Sequence, residues 1–312
     1  MAPIPKADIK DLVEWQKHID DGVNIGTLSL PGTHNSAACH LSFPSVQCQG
    51  ASITEQLEHG VRFFDIRCAT PFYTGCGLGS SPTDLQVIHG NFPVKIPLPV
   101  KLNDVLNDIY KFLEKHKSEV VVVSLKPEGA KKWEGDEFAD LLWDKYLHNS
   151  QERWFLENKI PRLGEARGKA VLFRRFGVKD GERKKKYGID AAWWKYNCQE
   201  DDRGHIVVQD FCEVMEPQHI NQKVNYINEH IKRAQEYNAT GNANDNAKMY
   251  INFCSGSNFW NPKCWPKNVA KGVANGCEQN VTKGCGVIII DYAEQDQWSF
   301  VRSLVQLNLE RN

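Results

Sequence analysis

Eight short runs rich in β-branched and aromatic residues, each followed closely by a polar or charged residue, restrict the fold of this chain more than any other feature. They occupy 25–30, 61–66, 85–88, 120–125, 170–173, 205–208, 249–253 and 287–290. Several are almost continuously apolar, the pattern of strands covered on both faces. Between them, apolar residues recur at gaps of three and four over 102–115, 135–146 and 218–235, the helical period. Strands alternating with helices predict an α/β fold, and the count of eight predicts closure into a distorted TIM barrel of mostly parallel strands. Gly, Pro, Ser and Thr crowd 39–50 and 71–84, so the outer helices are expected to be irregular there. The stretch 239–247 reads as an exposed polar loop and 259–267 as a larger loop after the seventh strand. No Pro-, Gly- or Ser-rich linker divides the chain, so 1–312 is expected to form a single domain.

Barrel enzymes gather their chemistry at the C-terminal ends of the strands. The residues at those ends are His34, Asp65 and Arg67, His89, Lys126, Arg174 and Arg175, Asp210, Ser255 and Asp291. Two histidines can divide the roles of acid and base, and a fixed guanidinium suits an anion, so the set points to catalysis on a phosphate ester. The bland alternatives are that His34 stabilises a hydroxyl-rich turn, His89 bonds within a loop, and Asp65 pairs with Arg67 to close one.

The remainder of the sequence narrows the class. The formal net charge is -1 and no long basic block occurs, which argues against a nucleic-acid partner. No apolar run approaches the roughly 20 residues of a membrane span. The start, MAPIPKADIKDL, has no signal-peptide core. Ten cysteines, several in short loop-rich intervals (Cys39/Cys48, Cys68/Cys76, Cys254/Cys264, Cys277/Cys285), lead to an expectation of disulfides. With them comes an expectation of secretion, the signal segment being absent from this chain. Asn238 and Asn280 stand in sugar-acceptor triplets.

The stretches LPGTHNS, GVRFFDIR, LQVIHG, VVVSLK, RGKAVLFRRF, VVQDF and GVIIIDY, in that order, resemble the phosphatidylinositol-specific phospholipase C X-domain family, in particular its single-domain bacterial and fungal-like type. The resemblance implies cleavage of phosphatidylinositol to diacylglycerol and inositol 1,2-cyclic phosphate, followed by slower opening of the cyclic product by water. It implies His34 as general base oriented by Asp291, His89 as general acid supported by Asp65, and Arg67 on the phosphoryl oxygens. Arg67 stands where calcium-dependent relatives carry an acidic residue, so neither a metal nor another cofactor is expected. Asn35 departs from the aspartate of metal-free relatives, and Cys212 from a ring-stacking tyrosine.

Lys126, Arg175 and Asp210, together with Asn35 and Cys212, form the expected head-group pocket. Arg175 is preferred to Arg174 because alternation places it on the side of Val171 and Phe173. Trp133, Trp193, Trp194, Phe259, Trp260 and Trp265 are expected to form a rim for transient contact with the membrane interface. The expected partner is phosphatidylinositol or a glycosylated inositol lipid, met by a monomer. Two other functions stay open: a metal-dependent glycerophosphodiesterase or sphingomyelinase D-like enzyme, and an inositol-lipid binding protein with weak catalysis.

Overall fold

A computed structural model describes residues 12–71 and 84–310. In chain order the strands are β1 (Ser29–Thr33), β2 (Phe63–Ala69), β3 (Gln86–His89), β4 (Phe92–Pro93), β5 (Val121–Pro127), β6 (Trp154–Phe155), β7 (Ala170–Arg174), β8 (Ile189–Asp190), β9 (Asp201–Asp202), β10 (Ile206–Gln209), β11 (Met249–Phe253) and β12 (Gly286–Ile290). The α-helices are α1 (Ile53–Glu58), α2 (Leu102–Lys115), α3 (Glu137–Leu142), α4 (Leu163–Ala166), α5 (Gly181–Lys184), α6 (His219–Asn238), α7 (Pro266–Cys277) and α8 (Gln295–Leu309). Each of the eight predicted runs overlaps a strand. The first is displaced towards its C-terminal side, because 25–27 is a 3₁₀ turn in which the Asn24 side chain caps Gly26 N–H.

The expected closed barrel does not form. The sheet is a curled, open half-barrel of nine strands in the order β6-β7-β5-β2-β1-β12-β11-β10-β9. Eight of these run parallel, and β9 is antiparallel to β10. Two local causes defeat closure. The run counted as the third stave, β3, pairs antiparallel with the far end of β2 (Cys68 opposite Val87), and β2 pairs directly with β5. At the edges, β6, β8 and β9 are two residues long, and among the described residues neither β6 nor β8 pairs with β9. Such short edge strands end a sheet without offering a template for further pairing.

Alternation along the parallel strands explains both faces. Phe64 and Ile66, Val121, Val123 and Leu125, Leu172, and Ile288 and Ile290 pack outward under the helices. Leu30, Phe63, Val122, Val171 and Phe173, Val208, Ile251 and Phe253, and Val287 and Ile289 fill one inner core inside the curl. Gly32 lies on the inner row between Leu30 and His34, where a Cβ would come within 3.0 Å of the Phe63 Cβ, so the Phe63 ring takes that space. Helix α2 presents Leu102, Val105, Leu106, Ile109, Phe112 and Leu113 to the outer core, the spacing seen in the sequence. Below the sheet, the fully buried Arg62 donates to Glu119 through both Nε (2.9 Å) and Nη2 (2.8 Å).

The expected disulfides are absent among the described residues. Cys39, Cys48, Cys68, Cys198, Cys212, Cys254, Cys264, Cys277 and Cys285 are all free thiols, and Cys76 lies outside the described residues. Six of the nine belong to the outer core and Cys198 to the inner one, where thiols pack as small apolar groups. Counting cysteines over short loops therefore mistook core packing for cross-linking.

Candidate active site

The inner rows of the sheet end in polar residues at one mouth. Continuing each inward alternation by one step leads from Leu30 and Gly32 to His34, from Phe63 and Asp65 to Arg67, and from Val122 and Ser124 to Lys126. The same step leads from Phe173 to Arg175, Val208 to Asp210, Phe253 to Ser255 and Ile289 to Asp291. All seven terminal residues line one cavity of about 540 Å³, together with His89 and Cys212. An open sheet gathers them as a closed one would, since each row is aimed by its own strand. Arg174, one residue out of phase, is buried and pairs with Asp190 at 2.6 Å, whereas Arg175 lines the cavity.

His34 and Asp291 form a nearly buried pair, with Nδ1 to Oδ1 at 2.8 Å. The Asn35 amide lies 3.0 Å from His34 Nε2. An amide N–H can only donate, so Nε2 carries the lone pair, and Nδ1 carries the proton that Asp291 accepts. The ring is thus held in the tautomer of a base, with Asn35 resting on the basic nitrogen. The other Asn35 side-chain atom, Oδ1, is buried without a hydrogen-bond partner.

The His89 ring meets the His34 ring edge to face, with centroids 5.7 Å apart. Strand β3 brings it there from outside the row of parallel strands. Its Nδ1 donates to the Val46 carbonyl at 2.8 Å, which leaves Nε2 as the second nitrogen. Burial, and then the nearness of His34 and Arg67, lower its pKa from the usual 6.5 to about 4. The expectation that Asp65 supports His89 is corrected by this arrangement. Asp65 accepts instead from Arg67 Nε (3.2 Å), Ser124 Oγ (3.4 Å) and the Asn35 backbone N–H (3.4 Å). It sits one row deeper than the mouth, where it can reach its neighbours on the sheet but not a ring carried by β3.

Arg67 bridges Asp65 and Glu128, the latter at 3.1 Å from Nη1. Against the penalty of burial, Arg67 holds both carboxyls down to about 2. Glu128 also accepts from Lys126 at 3.2 Å and from the Gly90 N–H at 2.9 Å, which ties the His89 turn to β5. Sequence reasoning missed Glu128, although one more inward step past Lys126 reaches it. The field of Arg67, followed by burial, lowers the Lys126 pKa.

Arg175 stacks on the Trp194 ring, its guanidinium carbon 3.2 Å from the ring centre, and the same indole N–H donates to Asp210 at 3.0 Å. Burial, partly offset by Asp65 and Asp210, brings Arg175 down to about 10. Trp194 is therefore a buried platform for two pocket residues, not part of a rim. Trp133 likewise packs on Phe138, away from the cavity, and Trp265 turns its N–H to the Phe259 carbonyl. Cys212 lines the cavity as a free thiol beside Tyr196, whose hydroxyl donates to Glu213 at 3.0 Å. Phe211 packs on Tyr226 and is not among the lining residues.

An apolar surface borders the mouth. Trp193, Phe259 and Trp260 are exposed, as the sequence suggested, and Phe259 stacks on Phe92 at 5.4 Å, which meets Phe43 at 5.8 Å. Leu41 and Ile96 extend this surface, with Leu41 82% and Trp260 87% exposed. The Leu41 carbonyl accepts from Ile96 N–H, joining the two loops. The loop residues 41–43 and 92–98 carry no periodicity that would reveal this clustering in the sequence. Among the described residues, no helix is long and apolar enough to cross a membrane.

Residues 28–176 match the family model for phosphatidylinositol-specific phospholipase C, X domain. The chain is 27% identical to the 1-phosphatidylinositol phosphodiesterase of Staphylococcus aureus strain Newman over 305 residues, covering 89% of this chain and 88% of that protein. It is 26% identical to the corresponding enzyme of Listeria monocytogenes over 299 residues, covering 90% and 81%. A solved Staphylococcus aureus phosphatidylinositol-specific phospholipase C superposes with a TM-score of 0.74 at 24% identity, over 95% of this chain and 98% of that one. The Listeria monocytogenes enzyme does so with a TM-score of 0.71 at 20% identity, over 96% and 100%, a likeness of fold.

Proposed function

This chain belongs to the phosphatidylinositol-specific phospholipase C X-domain family, and from that premise we propose that it cleaves phosphatidylinositol without calcium, by histidine acid-base catalysis. The observation that carries this reading is the pairing of His34 and His89 in one cavity, each ring held by a different partner, beside a guanidinium. His34 Nε2 takes the proton of the inositol 2-hydroxyl as its oxygen attacks phosphorus, and Asp291 stabilises the imidazolium that forms. His89 delivers a proton to the departing diacylglycerol oxygen, giving the 1,2-cyclic phosphate. Arg67 lies where it can meet the non-bridging oxygens, and it is fixed in advance by two carboxylates. The inositol hydroxyls find donors in Lys126 and Arg175 and an acceptor in Asp210.

Two features need substrate to complete them. The Asn35 amide must leave His34 Nε2 when the 2-hydroxyl arrives. His89, neutral in the free protein down to about pH 4, gains a reason to hold a proton when a phosphodiester anion offsets the field of Arg67. Calcium is not needed to supply charge, because Arg67 already bridges Asp65 and Glu128, the carboxylates a cation would require. The exposed Phe43, Phe92, Phe259 and Trp260 give the mouth a surface for transient contact with the lipid interface.

A head-group panel assayed in excess chelator and again with added calcium tests the whole reading, with phosphorus NMR identifying the product. Cyclic inositol phosphate from phosphatidylinositol in chelator is expected. Activity that appears only with calcium would reject the role of Arg67, and binding without turnover would favour a lipid-binding protein.

A further inference from the structure

One buried group beside the two histidines has no part in the chemistry above. Cys48 is fully buried, and its Sγ lies 3.5 Å from His89 Nδ1. A donor atom from each of Cys48, His34 and Asp291 lies within 4.8 Å of the other two. They come from three separate places: the end of β1, the loop 39–50 and the end of β12.

Their backbones are fixed in common. The Gln49 amide donates to the carbonyls of both His34 and Ile290 at 2.9 Å, and its Oε1 accepts from Ala293 N–H at 3.2 Å. Cys48 N–H donates to the Ala38 carbonyl, and the Cys48 carbonyl accepts from Tyr292 N–H at 2.7 Å. The residues flanking Asp291 thus hold the cysteine loop in register with the histidine, as supporting contacts do in a preorganised ligand set.

We propose that Cys48, His34 and Asp291 form an inhibitory site for a thiophilic divalent cation of the zinc class. Thiolate, imidazole and carboxylate are the three donor types that zinc accepts, and three protein ligands leave the fourth position to water. Zinc bonds of roughly 2.0–2.3 Å set neighbouring donors about 3.3–3.6 Å apart. The 2.8 Å His34–Asp291 contact would open slightly and the thiol would move in, both within side-chain reach. The thiol proton leaves to solvent as the sulfur–metal bond forms. A sulfur ligand selects against calcium and magnesium.

The consequence for the enzyme follows from the single lone pair of neutral imidazole. Whichever His34 nitrogen binds the metal, the proton occupies the other, and no base remains for the 2-hydroxyl. This consequence rests on the reading of His34 as the base; occupancy by the cation does not. The site is also separate from the Arg67–Asp65–Glu128 bridge, so sensitivity to zinc and independence of calcium belong together in one protein.

Cobalt binding to the purified protein tests occupancy without reference to activity, through the sulfur-to-cobalt charge-transfer band. The wild type should show this band, with zinc and cadmium competing and calcium and magnesium not competing. Cys48→Ser, shown folded by circular dichroism, should lose the band, and its apparent zinc affinity should weaken by at least about tenfold. Cys212→Ala, which removes the thiol that lines the cavity, should keep it. Should Cys48→Ser fail to fold, Asp291→Asn, with the thiol intact, should weaken zinc binding by a similar factor. No band in the wild type, a band unchanged in Cys48→Ser, or displacement by calcium would each overturn the site. Turnover of phosphatidylinositol is measured beside binding, each variant against its own uninhibited rate. Zinc that binds through Cys48 yet leaves turnover intact would overturn inhibition and with it the role of His34 as base, while leaving the cation site standing.

Discussion

Removing the Asp291 carboxylate isolates the step that distinguishes the two histidines. In Asp291→Ala, His34 keeps its place on β1 but loses the acceptor 2.8 Å from Nδ1. With charge centres about 4 Å apart and an effective dielectric of about 20, the attraction between imidazolium and carboxylate is worth about 4 kcal/mol. It is gained only when His34 has taken the proton, so its loss falls on kcat, by about a thousandfold at 1.36 kcal/mol per decade. Asp291→Asn should be worse, about ten thousandfold, because an amide N–H turned to Nδ1 favours the tautomer with its proton on Nε2. The fold should survive, since the stranded Nδ1–H costs only about 1–3 kcal/mol. Initial rates of cyclic phosphate formation give kcat and KM, and circular dichroism with a thermal melt monitors folding. Asp291→Ala added to His34→Ala should cost nothing more, because the two act as one unit. A folded Asp291→Ala protein within tenfold of wild-type kcat, or independent losses in the double variant, would refute the argument.

Four further outcomes are expected. Titration of the His89 ring by NMR should give a pKa near 4 in the free protein and a value higher by at least about one pH unit with inorganic phosphate in the cavity. Since the folded value lies below the unfolded 6.5, the stability contributed by neutral His89 is complete above that pH and is lost as pH falls towards 4, which urea melts at the two pH values can check. Phe92→Ser and Trp260→Ser should each weaken binding to phosphatidylinositol vesicles by about tenfold, or about 1.5 kcal/mol of apolar burial, with cleavage of a soluble substrate analogue unchanged. Arg62→Ala, far from the cavity, should cost about 3–5 kcal/mol in urea denaturation by leaving Glu119 buried and unpaired, while Glu119→Gln tests the same pair from its other side.

The site was more legible in the sequence than the fold was. Period-two alternation belongs to each strand alone, so it aimed His34, Arg67, Lys126, Arg175, Asp210 and Asp291 at one mouth whether or not the sheet closed. Closure is a property of pairing, and pairing lies outside any single strand. Nothing in LQVIH says that β3 runs antiparallel to β2, and a two-residue β9 leaves no periodic trace. The cysteines failed for a related reason: spacing along the chain is silent on whether a thiol faces another thiol or the core. Trp194 was visible as an indole, but its place beneath Arg175 and Asp210 depends on a loop meeting the ends of β7 and β10.

What pairing changed most was the meaning of Asp65. On the family resemblance it is a support for the acid histidine. In the sheet it lies opposite Ser124, in the layer below Arg67 and Lys126, where it shares Arg67 with Glu128. The guanidinium is therefore locked between two carboxylates before any phosphate arrives and needs no rearrangement to meet developing charge. His89 is left to the Val46 carbonyl and the Cys48 thiol, contacts that bring no carboxylate to its ring nitrogens. Its acid strength then depends on the substrate: burial, His34 and Arg67 together outweigh the Val46 carbonyl and the field of Glu128, and an anion bound in the cavity shifts that balance towards the protonated form. An acid that charges when the phosphodiester binds does not hold a proton idly in the free protein, so the substrate itself sets the acid ring apart from the base.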